Sequence, residues 1–147
     1  MNRKKNISVI GGAGHVGFPL GLVFSSKNFT VNLIDKNLDF LKKIQNGSPP
    51  FLEEGSEKLL ERALKKKKIN LSTKLEDVKN SKYIIVCIGT PVSNQLTPKL
   101  HSFINFFKSL KKHLDKDQVI IIRSSVYPNI CKKIYQIIKD KCKNLSY

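Results

Sequence analysis

Ser8-Val9-Ile10-Gly11-Gly12-Ala13-Gly14-His15-Val16-Gly17 begins as a short apolar run with the character of a buried strand and breaks into glycines. The residues after it resume as a helix, with Val16, Leu20, Val23 and Phe24 falling on one side. The glycines at 12, 14 and 17 spell G-x-G-x-x-G. In such a turn Gly12 permits the tight exit from the strand and Gly14 lets the main chain approach a pyrophosphate with no Cβ in the way. Gly17 lets the helix lie close on the sheet. The anion is then held by N–H groups at the positive end of that helix.

A second apolar run, Val31-Asn32-Leu33-Ile34, ends in Asp35, at the distance of about 20 residues expected of a ribose-binding carboxylate. Taken alone, the spelling also allows a structural glycine turn with Asp35 as a solvated loop acid. The strand before the turn, the helix after it and the acid beyond favour a dinucleotide site.

Outward from this unit, strands and helices alternate. The first helix is predicted over about Gly14 to Lys27, with Pro19 just past its first turn, where it deletes a backbone donor. Leu38, Leu41 and Ile44 mark a second helix ending at Asn46-Gly47, and Leu59, Leu60, Ala63 and Leu64 a third, from Gly55 to Lys67. Lys65-Lys66-Lys67-Lys68 sits at the carboxyl end of that helix, where the dipole favours cations.

Ile69-Asn70-Leu71 reads as a short strand, and Leu75 to Asn80 as a helical turn or two. Tyr83 to Ile88 is apolar throughout, as a parallel strand covered on both faces should be. Phe103, Phe106, Phe107, Leu110 and Leu114 belong to a further helix, Val119 to Ile122 to another strand, and Ile130, Ile134, Ile137 and Ile138 to a last helix after Pro128.

Five strands alternating with helices predict an α/β fold: a Rossmann-type, doubly wound parallel sheet in order 3-2-1-4-5, forming one domain over residues 1–147. Ligands bind such sheets where the chain reverses between strands one and four. That places Gly12 to Gly17, Thr90-Pro91 and Ser124-Ser125 around the site. Thr90 and Ser125 offer hydroxyls there, although both types also serve as caps and turn residues.

The composition narrows the function. Lys and Arg number 27 against 11 Asp and Glu, a formal net charge of +16. Nearly all of the excess is lysine, with Arg3, Arg62 and Arg123 the sole arginines, whereas base and phosphate recognition favours the arginine fork. No nucleic-acid partner is expected. Cys87, Cys131 and Cys142 form neither a C-x-x-C pair nor an even framework, so no disulfide, no metal site and a reduced, cytoplasmic setting are expected. The basic start Asn2-Arg3-Lys4-Lys5 opens like a signal peptide, but its apolar run stops at Gly11. No segment approaches bilayer-spanning length, so a soluble protein without a membrane partner is expected.

Four further pieces carry a resemblance. Gly12-Ala13-Gly14-His15-Val16-Gly17-Phe18-Pro19-Leu20, Pro50-Phe51-Leu52-Glu53-Glu54-Gly55, Ile88-Gly89-Thr90-Pro91-Val92 and Arg123-Ser124-Ser125-Val126-Tyr127-Pro128 stand in order along nearly the whole chain. Together they resemble the amino-terminal, NAD-binding domain of the UDP-glucose/GDP-mannose dehydrogenase family, and most nearly its members acting on UDP-N-acetylhexosamines such as UDP-N-acetylmannosamine. The resemblance implies NAD-dependent oxidation of a sugar C6 alcohol to a carboxylate in two steps, through a thioester-level intermediate on a cysteine, in polysaccharide biosynthesis.

It also implies that Gly12, Gly14, His15, Val16 and Gly17 serve the pyrophosphate, Asp35 the adenosine ribose and Thr90 the cofactor. Ser125 replaces the usual threonine near the reaction centre and has a supporting catalytic role. Asp35 should repel a 2′-phosphate, so NAD is expected over NADP. Three departures from the family pattern touch the site's fine positioning: Ser125, Asn129 in place of a glycine, and Ser93-Asn94 in place of an acidic pair.

The family's catalytic glutamate, lysine and cysteine come later than Tyr147, as does most of the nucleotide-sugar pocket. This chain is therefore expected to bind cofactor but not to turn over a UDP-sugar alone, and the full-length protein to be a homodimer or larger. Two alternatives share the fold: the NAD(P)-binding domain of another oxidoreductase class, and a stand-alone nucleotide-binding module whose basic surface meets an acidic macromolecule.

Overall fold

The computed structural model describes residues 5–89, 100–141 and 144–146. Its strands are β1 (Asn6–Ile10), β2 (Thr30–Ile34), β3 (Ile69–Ser72), β4 (Tyr83–Val86), β5 (Val119–Ile122) and β6 (Asn144–Ser146). Its helices are α1 (Gly17–Ser26), α2 (Leu38–Gln45), α3 (Ser56–Lys65), α4 (Leu100–Lys111) and α5 (Ile130–Ile138). All neighbouring strands run parallel, in the order β3-β2-β1-β4-β5-β6.

The order of the first five strands is the predicted one, and the doubly wound reading follows from how the faces are filled. One face buries Ile7, Val9, Val31, Leu33 and Ile85 against Phe18, Leu22, Leu41, Ile44 and Leu60 of α1, α2 and α3. The other buries Ile10, Ile34, Ile84, Val86, Ile120 and Ile122 against Phe103, Phe107, Leu110, Ile130, Ile134 and Ile138 of α4 and α5. Strands covered on both sides favour apolar residues on both faces, which is why β4 shows no alternation.

Four expectations need correcting. A sixth strand, β6, extends the sheet beyond β5; Asn144-Leu145-Ser146 is too short and too polar to register as a strand and is held by its ladder to β5. Helix α1 starts at Gly17 rather than Gly14, so Pro19 stands within the first turn, where proline is tolerated. On either side of it Phe18 N–H donates to the Gly14 carbonyl at 3.0 Å and Leu20 N–H to that of Val16 at 3.3 Å. Helix α3 covers Ser56–Lys65 and β4 stops at Val86, two residues before the predicted strand end.

One polar side chain inside the second layer was not foreseen. Gln118 is fully buried, and its Nε2 donates to the carbonyls of Val78 at 2.7 Å and Ser81 at 2.8 Å while its Oε1 accepts from Asp115 N–H at 2.9 Å. It thereby ties the 3-10 segment Leu75–Asn80 to the start of β5. Nearby, Ser8, Asn32 and Asn70 occupy one register row across β1, β2 and β3, linked by Asn70–Asn32 at 2.9 Å and, through Ser81, Asn32–Ser81 at 3.2 Å and Ser8–Ser81 at 2.8 Å.

Removing Gln118 takes away the bonds to the Ser81 carbonyl and the Asp115 N–H, leaves the Val78 carbonyl only its bond from Ser81 N–H, and opens a void, so Gln118→Ala is expected to cost about 2–4 kcal/mol. A urea melt read by circular dichroism checks this through a lower midpoint at unchanged slope.

Candidate functional site

The loop from β1 into α1 is built by exclusion of side chains. Gly11 has φ +78°, and a Cβ there would lie 2.7 Å from the Cys87 carbonyl oxygen. The tight exit from the strand, assigned to Gly12 from the sequence, thus turns through a left-handed Gly11. Gly12 is instead a close-approach position, since a Cβ would meet the Leu33 Cα and the Val9 oxygen at 2.8 Å. At Gly17 a Cβ would lie 2.2 Å from the Gly11 carbonyl oxygen, the close packing that the sequence motif assigns to it. Gly14 differs from the rest: a Cβ would have no neighbour nearer than the Gly11 oxygen at 3.4 Å, and the residue faces a cleft.

Asp35 reaches this loop from the end of β2. Its Oδ2 accepts from Ala13 N–H and its Oδ1 from Asn37 N–H, each at 3.0 Å. The Ile34 carbonyl adds two further ties, from Gly11 N–H at 2.9 Å and Gly12 N–H at 3.1 Å. Each carboxylate oxygen keeps lone-pair capacity beyond these bonds. Helix α1 begins with Val16 as its N-cap, with no side-chain cap and no acid in its first turn. Its positive end is therefore left to an external anion.

These parts meet in a cleft of about 650 Å³ at the carboxyl ends of β1, β2 and β4, where the winding reverses. Gly11, Gly14, Asp35 and Lys36 supply its polar side, and Ile34, Leu75, Ile88 and Phe106 its apolar walls. Among the described residues, its lining contains no histidine or glutamate. The arrangement offers donors to an anion, acceptors to hydroxyls and apolar surface to a flat ring. That is the combination an adenine dinucleotide needs.

The other sequence-predicted residues are distributed unevenly. His15 and Val16 are exposed at the start of α1. The His15 imidazole stacks on Phe51, with centroids 3.9 Å apart and planes at 28°, and Phe18 meets the same ring edge-on at 5.8 Å. The Pro50-Phe51 segment is thereby fastened to the glycine loop, a contact no local pattern announces. Ser125 is exposed past β5 and is not among the described residues lining the cleft. In its neighbour Ser124 the Oγ donates to the Ile88 carbonyl at 2.7 Å, holding the end of β4 against the end of β5.

Thr90, with Pro91, Ser93 and Asn94, lies outside the described residues, as does Cys142. Asn129 takes the left-handed conformation, φ +68°, as N-cap of α5. Asparagine tolerates that region better than other non-glycine residues, so its replacement of the family's glycine preserves the turn.

Cys87 lines the cleft just beyond β4, and burial pushes its thiol up to about 11, with Arg123 pulling weakly the other way. Cys131 in α5 is also raised by burial. At about 11, the Cys87 thiol is about 0.1 % thiolate at pH 8. Cys87 is therefore expected to resist iodoacetamide at pH 8 and to react as pH rises past 10, monitored by mass spectrometry. Because the unfolded thiol ionises first, the stability it contributes is present below about pH 8.5 and is lost as pH rises towards 11.

Among the described residues, no group of three His, Cys, Asp or Glu side chains could hold a metal ion, and no helix is long and apolar enough to cross a membrane.

Residues 5–147 match the UDP-glucose/GDP-mannose dehydrogenase family, NAD binding domain. The chain is similar to UDP-N-acetyl-D-mannosamine dehydrogenase of Pyrococcus horikoshii, 26% identical over 129 residues that cover 88% of this chain and 31% of that protein. It is similar to UDP-glucose 6-dehydrogenase of Rickettsia bellii, 27% identical over 137 residues, 92% of this chain and 31% of that one. The solved structure of the UDP-D-ManNAc dehydrogenase from Pyrococcus horikoshii superposes with a TM-score of 0.83 at 26% identity, over 92% of this chain and 32% of that one. The chain thus spans about a third of the length of these relatives.

Proposed function

Because the chain belongs to the UDP-glucose/GDP-mannose dehydrogenase family as its NAD-binding domain, we propose that it holds the cofactor for a nucleotide-sugar 6-dehydrogenase. The observation that carries this reading is the Asp35 carboxylate turned onto the glycine loop, beside the uncapped end of α1 and at the mouth of the cleft.

In this reading the main chain of Gly12, Gly14 and Gly17, with the N–H groups of His15 and Val16, receives the pyrophosphate. The free lone pairs of Asp35 accept from the adenosine ribose, and Ile34, Leu75 and Phe106 enclose the adenine. Thr90 serves the cofactor and Ser125, beyond β5, has a supporting role at the reacting end, as the family resemblance implies. Bound there, NAD supplies the hydride acceptor.

The substrate class is a UDP-hexose or UDP-N-acetylhexosamine, whose C6 alcohol becomes the carboxylate of a uronate for polysaccharide biosynthesis in the cytoplasm. Cys87 is unsuited to carry a thioester-level intermediate, since its burial disfavours the thiolate. The 147 residues bind NAD(H) without oxidising a nucleotide sugar; the remaining groups come from further domains, assembled as a dimer or larger.

The test is a titration of the chain with NADH followed by its fluorescence. Saturable binding in the micromolar to low-millimolar range is expected, with no NADH production from UDP-glucose or UDP-N-acetylmannosamine. Absence of binding at millimolar NADH would overturn the reading.

A further inference from the structure

In a parallel sheet all strands start at one end, so the loops leading into them gather opposite the cleft. Lys5 leads into β1, Lys27 into β2, Lys67 into β3, Lys116 into β5 and Lys141 into β6, and all five are exposed. Among the described residues none of these five is held in an ion pair, whereas Lys82, before β4, faces Asp117 at 3.7 Å and Lys111, at the end of α4, meets Asp140 at 2.9 Å.

Among the described residues the cleft-end loops balance, Asp35, Glu76 and Asp77 against Lys36, Lys74 and Arg123, whereas the strand-leading loops keep an excess of lysine although Asp115 and Asp117 flank Lys116 and Asp140 precedes Lys141. Helix dipoles account for cations in the last turn of a helix, but Lys5 follows none of the described helices and Lys116 lies five residues beyond α4. The excess charge is therefore polarised along the strands.

The shape of this end limits what it can meet. Neighbouring strands lie about 4.8 Å apart, so the row is roughly 25 Å wide. The exposed large apolar side chains, Val16, Val23, Leu38, Leu52, Tyr127 and Tyr135, all lie outside the strand-leading loops. Among the described residues of this end Phe29 is half-buried and packed edge-on against Phe24 rather than offered as a platform for bases, and lysines stand in place of arginine forks, so the row is poorly equipped to read a nucleic acid and better suited to an anionic surface.

We propose that the strand-start end of the sheet docks by charge alone onto a phospholipid headgroup surface rich in anionic lipid, leaving the cleft turned towards solvent. This is peripheral attachment and needs no spanning helix. It stands independently of the reading of the cleft.

The test is co-sedimentation of the full chain with vesicles of phosphatidylcholine alone or with about 30 % phosphatidylglycerol. Expected are at least about tenfold stronger partitioning onto the anionic vesicles and its loss as salt rises from roughly 0.05 to 0.5 M. Lys5→Gln/Lys67→Gln/Lys116→Gln/Lys141→Gln should lose most of that binding. Lys58→Gln/Lys74→Gln/Lys132→Gln/Lys133→Gln, which removes the same charge elsewhere, should keep it; both variants are first shown folded by circular dichroism. Equal binding to neutral and anionic vesicles, equal losses in the two variants, or tighter retention by duplex DNA than by the vesicles at the same salt would overturn the proposal.

Discussion

Gly17→Ala is expected to lower stability by about 3 kcal/mol and to abolish NADH binding, while Gly14→Ala leaves stability within about 0.5 kcal/mol and weakens NADH at least about tenfold. The two glycines belong to one motif, yet their surroundings differ. A methyl at Gly17 lies 2.2 Å from the Gly11 carbonyl oxygen, a backbone atom that moves only if the turn moves. That turn is fixed by Gly11 and Gly12 N–H on the Ile34 carbonyl, so relief must break the loop's ties to β2 or shift α1 off the sheet. A methyl at Gly14 meets protein no nearer than 3.4 Å and occupies the space of a ligand instead. Thermal melts should show a drop of roughly 10 °C for Gly17→Ala and almost none for Gly14→Ala. Equal melting temperatures for the two variants would refute this division of labour.

The same loop shows what the sequence makes legible. The runs at Val9-Ile10, Val31 to Ile34 with its one polar residue Asn32, and Ile84 to Ile88 are each closed by glycine or an acid, so their local composition marks them as parallel strands. The switch in helix placement then follows from the order of the strands. Gly11 is harder to read, because G-x-G-x-x-G names the positions of the motif and not the residue before it; a side chain there is excluded by the Cys87 carbonyl, far away in sequence. Phe51 on His15, Gln118 under the 3-10 segment and the Ser124 tether are likewise contacts across loops, where nothing in the flanking residues fixes the partner.

β6 failed for the opposite reason. A strand of three residues with one apolar side chain carries almost no pattern, and its pairing with β5 supplies what its composition does not. Asn129 is intermediate: as a replacement for glycine it reads as a departure, but its φ of +68° keeps the left-handed cap at the start of α5. A change in residue type therefore left the backbone requirement intact.

Asp35→Ala is expected to weaken NADH by about 10–100-fold and to reverse or erase the preference for NADH over NADPH. It should also cost about 1–3 kcal/mol of stability with no ligand present. The last effect separates this carboxylate from a purely ligand-facing one. Ala13 is fully buried, and its N–H donates to Asp35 Oδ2; without the acceptor that donor is stranded inside the loop. Loss of NADH affinity therefore has two sources, the missing ribose acceptor and a loosened cradle. Asp35→Asn distinguishes them, since its amide oxygen can still accept from the buried Ala13 N–H, at the cost of setting its NH2 against the exposed Asn37 N–H, while the negative charge facing a 2′-phosphate is gone. It should be more stable than Asp35→Ala though below the wild type, keep more NADH affinity than Asp35→Ala, and gain in NADPH affinity relative to the wild type. Calorimetric titrations with both cofactors, alongside urea melts, give the comparison. An Asp35→Asn chain that discriminates against NADPH as strongly as the wild type would show that carboxylate charge is not the basis of cofactor choice.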